Sequence, residues 1–362
     1  GGSLLSLINF EYLSSMIGTV KMMEKVIFTR NMAAMLDAGL TVSRALTVMM
    51  RQTKNGVFRK VLNTVNEDIR KGASFNEALE KFPKVFSPLF IAMVRAGEES
   101  GSLSESLRMV GIQMNQSFTL KKKIRGALMY PSIIVIAMII IGILMLIYVV
   151  PTLSQTFQEL GAELPKTTQG VITVSEFLVE NTFLAIGILV VLVGSITFAF
   201  RTPLGRKSFE FFILHIPIIS GLVKETNAAR TARTLSSLLS SGVEVVGALS
   251  ITRDVVQNSY FKKVLSEAET EIQKGAPISK VFLKNEKLYP ILLSEMIAVG
   301  EETGKLSEML AQTAEFYEYE VAQKTKDMST IIESFLMIII GSGVGFFAVS
   351  MIMPIYTLSE SI

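Results

Sequence analysis

The sequence contains no cysteine, no tryptophan and a single histidine. Without cysteine there is no disulfide, no thiol nucleophile and no cysteine metal site, although this alone does not fix the compartment. His215, with no second imidazole in the chain to join it, is a poor metal or catalytic candidate and reads as a packed or interfacial side chain. An excess of charge of one sign is also missing: 35 Lys and Arg stand against 32 Asp and Glu, a net +3. The basic residues gather beside apolar segments, which favours membrane anchoring and argues against a nucleic-acid partner. Period-2 alternation is nearly absent, so strands are not expected. The first 25 residues lack a basic n-region and an unbroken apolar h-region, so no secretory signal peptide is expected. Hydrophobic residues are abundant: 49% of the 362 residues, with a mean hydropathy of +0.46, too apolar for an ordinary soluble protein.

The dominant feature is an internal repeat. Residues 30–151 and 233–354 are one unit written twice, without a gap, 203 positions apart. FTRNMAAMLDAGLTVSRAL (28–46) answers TARTLSSLLSSGVEVVGAL (231–249), RKVLNTVNEDIRKGAS (59–74) answers KKVLSEAETEIQKGAP (262–277), and AGEESGSLSESL (96–107) answers VGEETGKLSEML (299–310). Each copy then passes through a basic stretch into a long apolar segment closed by a proline, Pro151 or Pro354. A repeat of this length dictates the architecture before any local reading does.

Three segments are long and apolar enough to span a bilayer: 131–150, 182–200 and about 331–353. The first two carry no charge, and the third has Glu333 only at its start. Lys121, Lys122, Lys123 and Arg125 precede the first, Arg201, Arg206 and Lys207 follow the second, and Lys324 and Lys326 precede the third. The stretch between the first two holds Glu159, Glu163, Glu176 and Glu180 against Lys166 alone. The positive-inside rule then puts the N-terminus and both large polar regions in the cytoplasm and the C-terminus outside, a multi-pass protein of the cell inner membrane. The middle span lies outside the repeat. Two copies that both cross outward need one return crossing, and 182–200 supplies it.

The polar regions read as helical throughout. Thr41 is placed to cap a helix, Ser74 with Glu77 and Ser102 with Glu105 have capping-box spacing, and glycines at 39, 72, 97 and 101 recur at 242, 275, 300 and 304. Leu103, Leu107, Val110, Met114 and Phe118 form one apolar stripe on the last helix of the first region, which continues into the first span. The fold expected is an all-α membrane protein with two tandem six-helix cytoplasmic bundles and three transmembrane helices. Its parts are a short N-terminal segment (1–23), a first bundle (24–119), a first span with its basic lead-in (120–151), an external loop (152–181) and a second span (182–200). An interfacial linker (201–226), a second bundle (227–322), a third span (323–354) and an external tail (355–362) complete it.

No motif carries chemistry. VGEETGKL at 299–306 resembles a phosphate loop but has three residues between its glycines and Leu306 where a magnesium-binding hydroxyl belongs. The twin loops Gly97-Glu98…Gly101 and Gly300-Glu301…Gly304 read as tight helix–helix connections, with acidic residues near a helix N-terminus where the dipole favours them. A partner-contacting surface is the functional alternative for these loops, and a divalent-cation site from Glu98/Glu99 or Glu301/Glu302 a remoter one. Arg30 and Arg233 sit on first helices, either solvated or paired with loop glutamates. Gly341 and Gly345 form a small-xxx-small pair suited to helix packing within or between protomers. No span carries the buried charge that transporters and pumps need.

These residues resemble the type II secretion F family, the GspF/PilC-type inner-membrane platform proteins of type IV pilus and type II secretion machines. The matching features are FTRxxAxMLxAGLxVxxAL with its echo, Gly39 and Gly242, both GExxGxL loops, IPIISGLVKE at the entry to the second half, and the prolines at 151 and 354. The likeness covers about residues 24–356. Ser334 stands where the third span of such proteins often opens with a proline. The resemblance implies a non-enzymatic platform, without cofactor or metal, that couples a cytoplasmic hexameric ATPase to pilin or pseudopilin subunits. It implies contact with other inner-membrane assembly proteins and a homodimer or higher homo-oligomer. A membrane-tethered helical adaptor or signalling protein is the rival reading. A parallel-repeat transporter is weaker, given three spans and no intramembrane charge.

Overall fold

The computed structural model describes residues 20–159 and 166–360, and these are entirely helical or in connecting turns. Most of the N-terminal segment 1–23, the part of the external loop around Glu163 and the last two residues of the tail lie outside the described residues. The chain divides into two compact units: the chain up to Lys122 together with Ile213–Val321, and Lys123–Phe212 together with the chain from Ala322.

In the first unit, helices α1 (Met22–Asp37), α2 (Val42–Gln52), α3 (Gly56–Arg70), α4 (Phe75–Glu80), α5 (Pro88–Glu99) and the start of α6 (Leu103–Leu144) follow one another. Local sequence sets their ends. Thr41 Oγ1 accepts from Arg44 N, Asn55 Oδ1 from Val57 N and Phe58 N, and Ser74 with Glu77 closes a reciprocal capping box at α4. Glycines with positive φ, Gly39 at 84° and Gly72 at 101°, stop α1 and α3.

The second copy supplies α11 (Pro217–Ser240), α12 (Val245–Val255), α13 (Ser259–Gln273), α14 (Ile278–Lys284), α15 (Ile291–Thr303) and the start of α16 (Leu306–Glu360), in the same order. The apolar side chains of both copies join in one buried cluster, and α5 packs against α11 and α12. The cores are related but not identical. In the first, Phe28, Phe58 and Phe86 meet with ring centroids 5.5–6.4 Å apart. In the second, Thr231 replaces Phe28, Tyr289 replaces Phe86 and Phe282 replaces Leu79. Phe282 packs edge-on against Tyr289, with ring centroids 4.8 Å apart. The fully buried Tyr289 hydroxyl meets Thr231 Oγ1 at 3.0 Å, so an aromatic contact becomes a satisfied polar one.

The second unit holds the rest of α6, a π-helical turn (Met145–Val149), α7 (Val150–Glu159), α8 (Lys166–Glu180), α9 (Thr182–Arg201), α10 (Pro203–His215) and the rest of α16. The helices run on past both prolines rather than ending there. Before Pro151 the π-helical turn widens the coil, where a proline ring would otherwise press on the preceding turn. The linker around 201–226 is itself helical, with Pro217 in the first turn of α11. Tyr130 Oη lies 3.4 Å from Glu333 Oε1, and Ser329 Oγ donates to Ala127 O at 2.9 Å, so the two repeat-related helices meet at matching depths. Among the described residues, the helical stretches Leu103–Thr156 and Leu306–Ser350 are long and apolar enough to cross a membrane. The pair Thr168–Glu180 and Thr182–Leu192, bent by 95°, adds a third if counted as one span. Ile133, Ile136, Ile140, Val190, Val191, Phe335 and Ile338 are exposed along these helices, as suits side chains solvated by lipid.

Candidate functional site

The twin loops are built alike, and their glutamates face inward. Glu98, near the end of α5, accepts from the backbone N–H groups of Phe75 (2.6 Å) and Asn76 (2.8 Å) and from Asn76 Nδ2 (2.8 Å). Glu301 accepts from Ile278 N (2.6 Å) and Ser279 N (3.1 Å). Each carboxylate therefore caps the short helix immediately before its own, α4 or α14, and not the helix that follows its loop. The orphan N–H groups of a helix start and a full negative charge satisfy each other in this geometry. Both carboxylates are engaged by backbone donors, and no cluster of three or more candidate metal ligands occurs among the described residues.

The glycines divide by role. Gly101 and Gly304 have φ of 72° and 70°, and Gly242, like Gly39, 84°, left-handed values that suit glycine. Gly97 and Gly300 are needed for close approach instead. A Cβ on Gly97 would lie 2.5 Å from Ser106 Oγ, and one on Gly300 would lie 2.7 Å from the Cα of Leu306. The next helix crosses directly over each glycine. Lys305 lies between two helices, 3.9 Å from Glu308, with a helix and not a strand before it.

The two arginines differ. Arg233, 8% exposed, holds Glu318 with two bonds of 2.9 Å, and Glu315 lies 4.0 Å away. Its partner is thus on α16 and not in the loop. In the first copy the matching positions are Asn115 and Ile112. Arg30 is exposed, with no ion pair among the described residues. Burial lowers the affinity of Arg230 for its proton. Between the copies, Gln113 donates to Thr234 Oγ1 (3.4 Å) and accepts from Ser237 Oγ (3.2 Å). Sequence reading passed over this buried link because Gln113 sits within an apolar stripe and its partners are more than 120 positions away. Gly341 and Gly345 face open space, with no atom within 4 Å of a Cβ built on either, so no neighbour within the described chain packs on them. His215 is exposed at the end of α10.

Comparison with known proteins agrees with this doubled layout. The family described as "Type II secretion system (T2SS), protein F" matches twice, over residues 28–151 and 231–354. The type IV pilus assembly protein PilC of Thermus thermophilus is 37% identical over 330 residues, covering 91% of this chain and 81% of that protein. PilC of Pseudomonas aeruginosa is 34% identical over 346 residues, covering 94% and 91%. The type II secretion system protein F of Xanthomonas campestris is 32% identical over 339 residues, covering 92% and 82%.

Proposed function

Because the chain belongs to the type II secretion system protein F family, we propose that it is the inner-membrane platform of a type IV pilus or type II secretion machine. In this role it couples a cytoplasmic hexameric ATPase to the insertion and extrusion of pilin or pseudopilin subunits, and catalyses nothing itself. The observation that carries the reading is the double family match, each copy leading from a packed helical region into an apolar helix. The two regions are six-helix cytoplasmic bundles, 24–119 and 227–322. The chain crosses the inner membrane three times, at 131–150, 182–200 and 331–353, with its N-terminus inside and its C-terminus outside. The lysines and arginines flanking those segments support this orientation. Gly341 and Gly345 then serve contacts between protomers in a homodimer or larger oligomer.

The first bundle makes the main contact to the ATPase. Its last helix, α6, continues without a break through Lys121–Lys123 into the apolar segment, which suits the transmission of tilt or rotation. Charge reversal at two exposed positions, Arg51→Glu with Lys54→Glu, should abolish fibre assembly while protein level and membrane insertion stay normal. If those changes leave assembly intact and the same reversal at Lys262 and Lys263 abolishes it, the driving contact belongs to the second bundle. If neither pair matters and no fibre component co-purifies, the chain is a tethered adaptor instead.

A further inference from the structure

Three prolines inside the long helices of the second unit each leave a backbone carbonyl without its helical donor. At Pro131 Ser329 Oγ donates to Ala127 O, and the substitute donors at the other two, Pro354 and Pro151, share one helix as their source. Proline has no N–H, so Pro354 leaves the carbonyl of Ser350, four residues earlier in α16, without its helical partner. Thr168 Oγ1 donates to that oxygen at 2.7 Å, and Thr168 and Ser350 are both buried. In the first copy the π-helical turn shifts the ladder by one residue, and Val150 N donates to Met145 O. The next acceptor in that spacing is Leu146 O, and its donor would have come from Pro151. Ser175 Oγ donates to Leu146 O instead.

Thr168 and Ser175 lie seven residues apart on α8, two turns along one face. Between them Ile172 and Val171 pack with Leu146, Val150 and Leu153 of the first copy and Phe347 of the second. The helix that does this work lies outside the repeat. We infer that α8 is a clasp: its two hydroxyls replace the backbone donors missing at Pro151 and Pro354 and hold these two proline sites in a single conformation. A proline with an unsatisfied carbonyl behind it is a natural bending point in a helix, and in a dry setting that carbonyl is costly to leave open. With both hydroxyls engaged, both bending points are locked to the same helix. Loss of one hydroxyl releases its own proline site and leaves the other held.

The test is a pair of substitution cycles on the full chain in lipid nanodiscs. Thr168→Val removes the donor and keeps the shape, and Pro354→Ala restores a backbone N–H to Ser350 O. Thr168→Val should lower the apparent Tm by about 2–4 °C in the presence of Pro354, and by about a quarter of that or less in the Pro354→Ala background. Ser175→Ala should behave the same way against Pro151→Ala. Thr168→Ser keeps a donor and should melt like the unaltered protein, which separates loss of the bond from a general packing defect. Hydrogen exchange gives a local readout. Thr168→Val should speed exchange several-fold in 346–358 and leave 147–159 unchanged, and Ser175→Ala should do the reverse. Equal losses of Tm with and without the proline, or no loss in the proline background, would overturn the clasp. So would exchange that rises in both segments for either single change.

Discussion

At the scale of single residues, the family-motif glutamates Glu98 and Glu301 each hold the start of a short helix. Glu98→Ala would leave the N–H groups of Phe75 and Asn76 without an acceptor and should cost about 2 kcal/mol. Glu98→Gln, which keeps an acceptor oxygen, should cost less. Glu301→Ala should behave like its counterpart, and thermal unfolding in detergent reads all three. Gly300→Ala should be severe, because its methyl would meet the backbone of Leu306 and not a movable side chain. Lys305→Ala should leave any trace of ATP hydrolysis at background, and an activity abolished by that change would revive a phosphate-binding loop. The sequence disclosed that these loops were special, since GExxG occurs twice at one offset. It did not disclose what Glu98 bonds to, because the acceptor and its donors are 22 and 23 residues apart and no local periodicity links α5 to the start of α4.

At the scale of elements, the copies differ where their first and last helices meet. Arg233→Ala leaves Glu318 partly buried without its cation and should cost about 2–3 kcal/mol. That is below the usual range for a buried pair because Glu318 keeps some access to water. Arg30→Ala, at an exposed position, should be close to neutral for folding. A double-mutant cycle with Glu318→Ala checks the pair. Residues 152–181, expected as a loop, hold α8 and most of α7, whereas helix existence was legible in both polar regions, since caps and glycines sit at most ends. Two features were not. The prolines at 151 and 354 read as stop signals, yet the helices continue, because a wide turn and hydroxyl donors from a distant helix accommodate them. The 95° bend between α8 and α9 turns on a single residue, Asn181, with no proline or glycine to announce it. Gly341→Leu belongs here too. With nothing near that position in the chain, the substitution should leave the Tm of the single chain unchanged and reduce the oligomer seen by crosslinking.

At the scale of the whole molecule, orientation is the expectation most open to direct test. Cysteines introduced singly at Lys71 and Gln158 have no native thiol to compete with them. In spheroplasts, an impermeant maleimide should label Gln158→Cys and spare Lys71→Cys. Equal labelling would reject the proposed topology and, with it, the assignment of both helical regions to the cytoplasm.

The contact between Tyr130 and Glu333 has an evolutionary consequence. These are the same position of the repeat, 203 residues apart, so at this point the two copies run side by side in register. Gene duplication and fusion of a half-length ancestor would leave two such counterparts in one chain. Fusion then released the halves from identity. One could keep a tyrosine at this contact while the other took up the carboxylate that receives its hydroxyl, and Phe28 and Thr231 could part company in cores that once had to be the same.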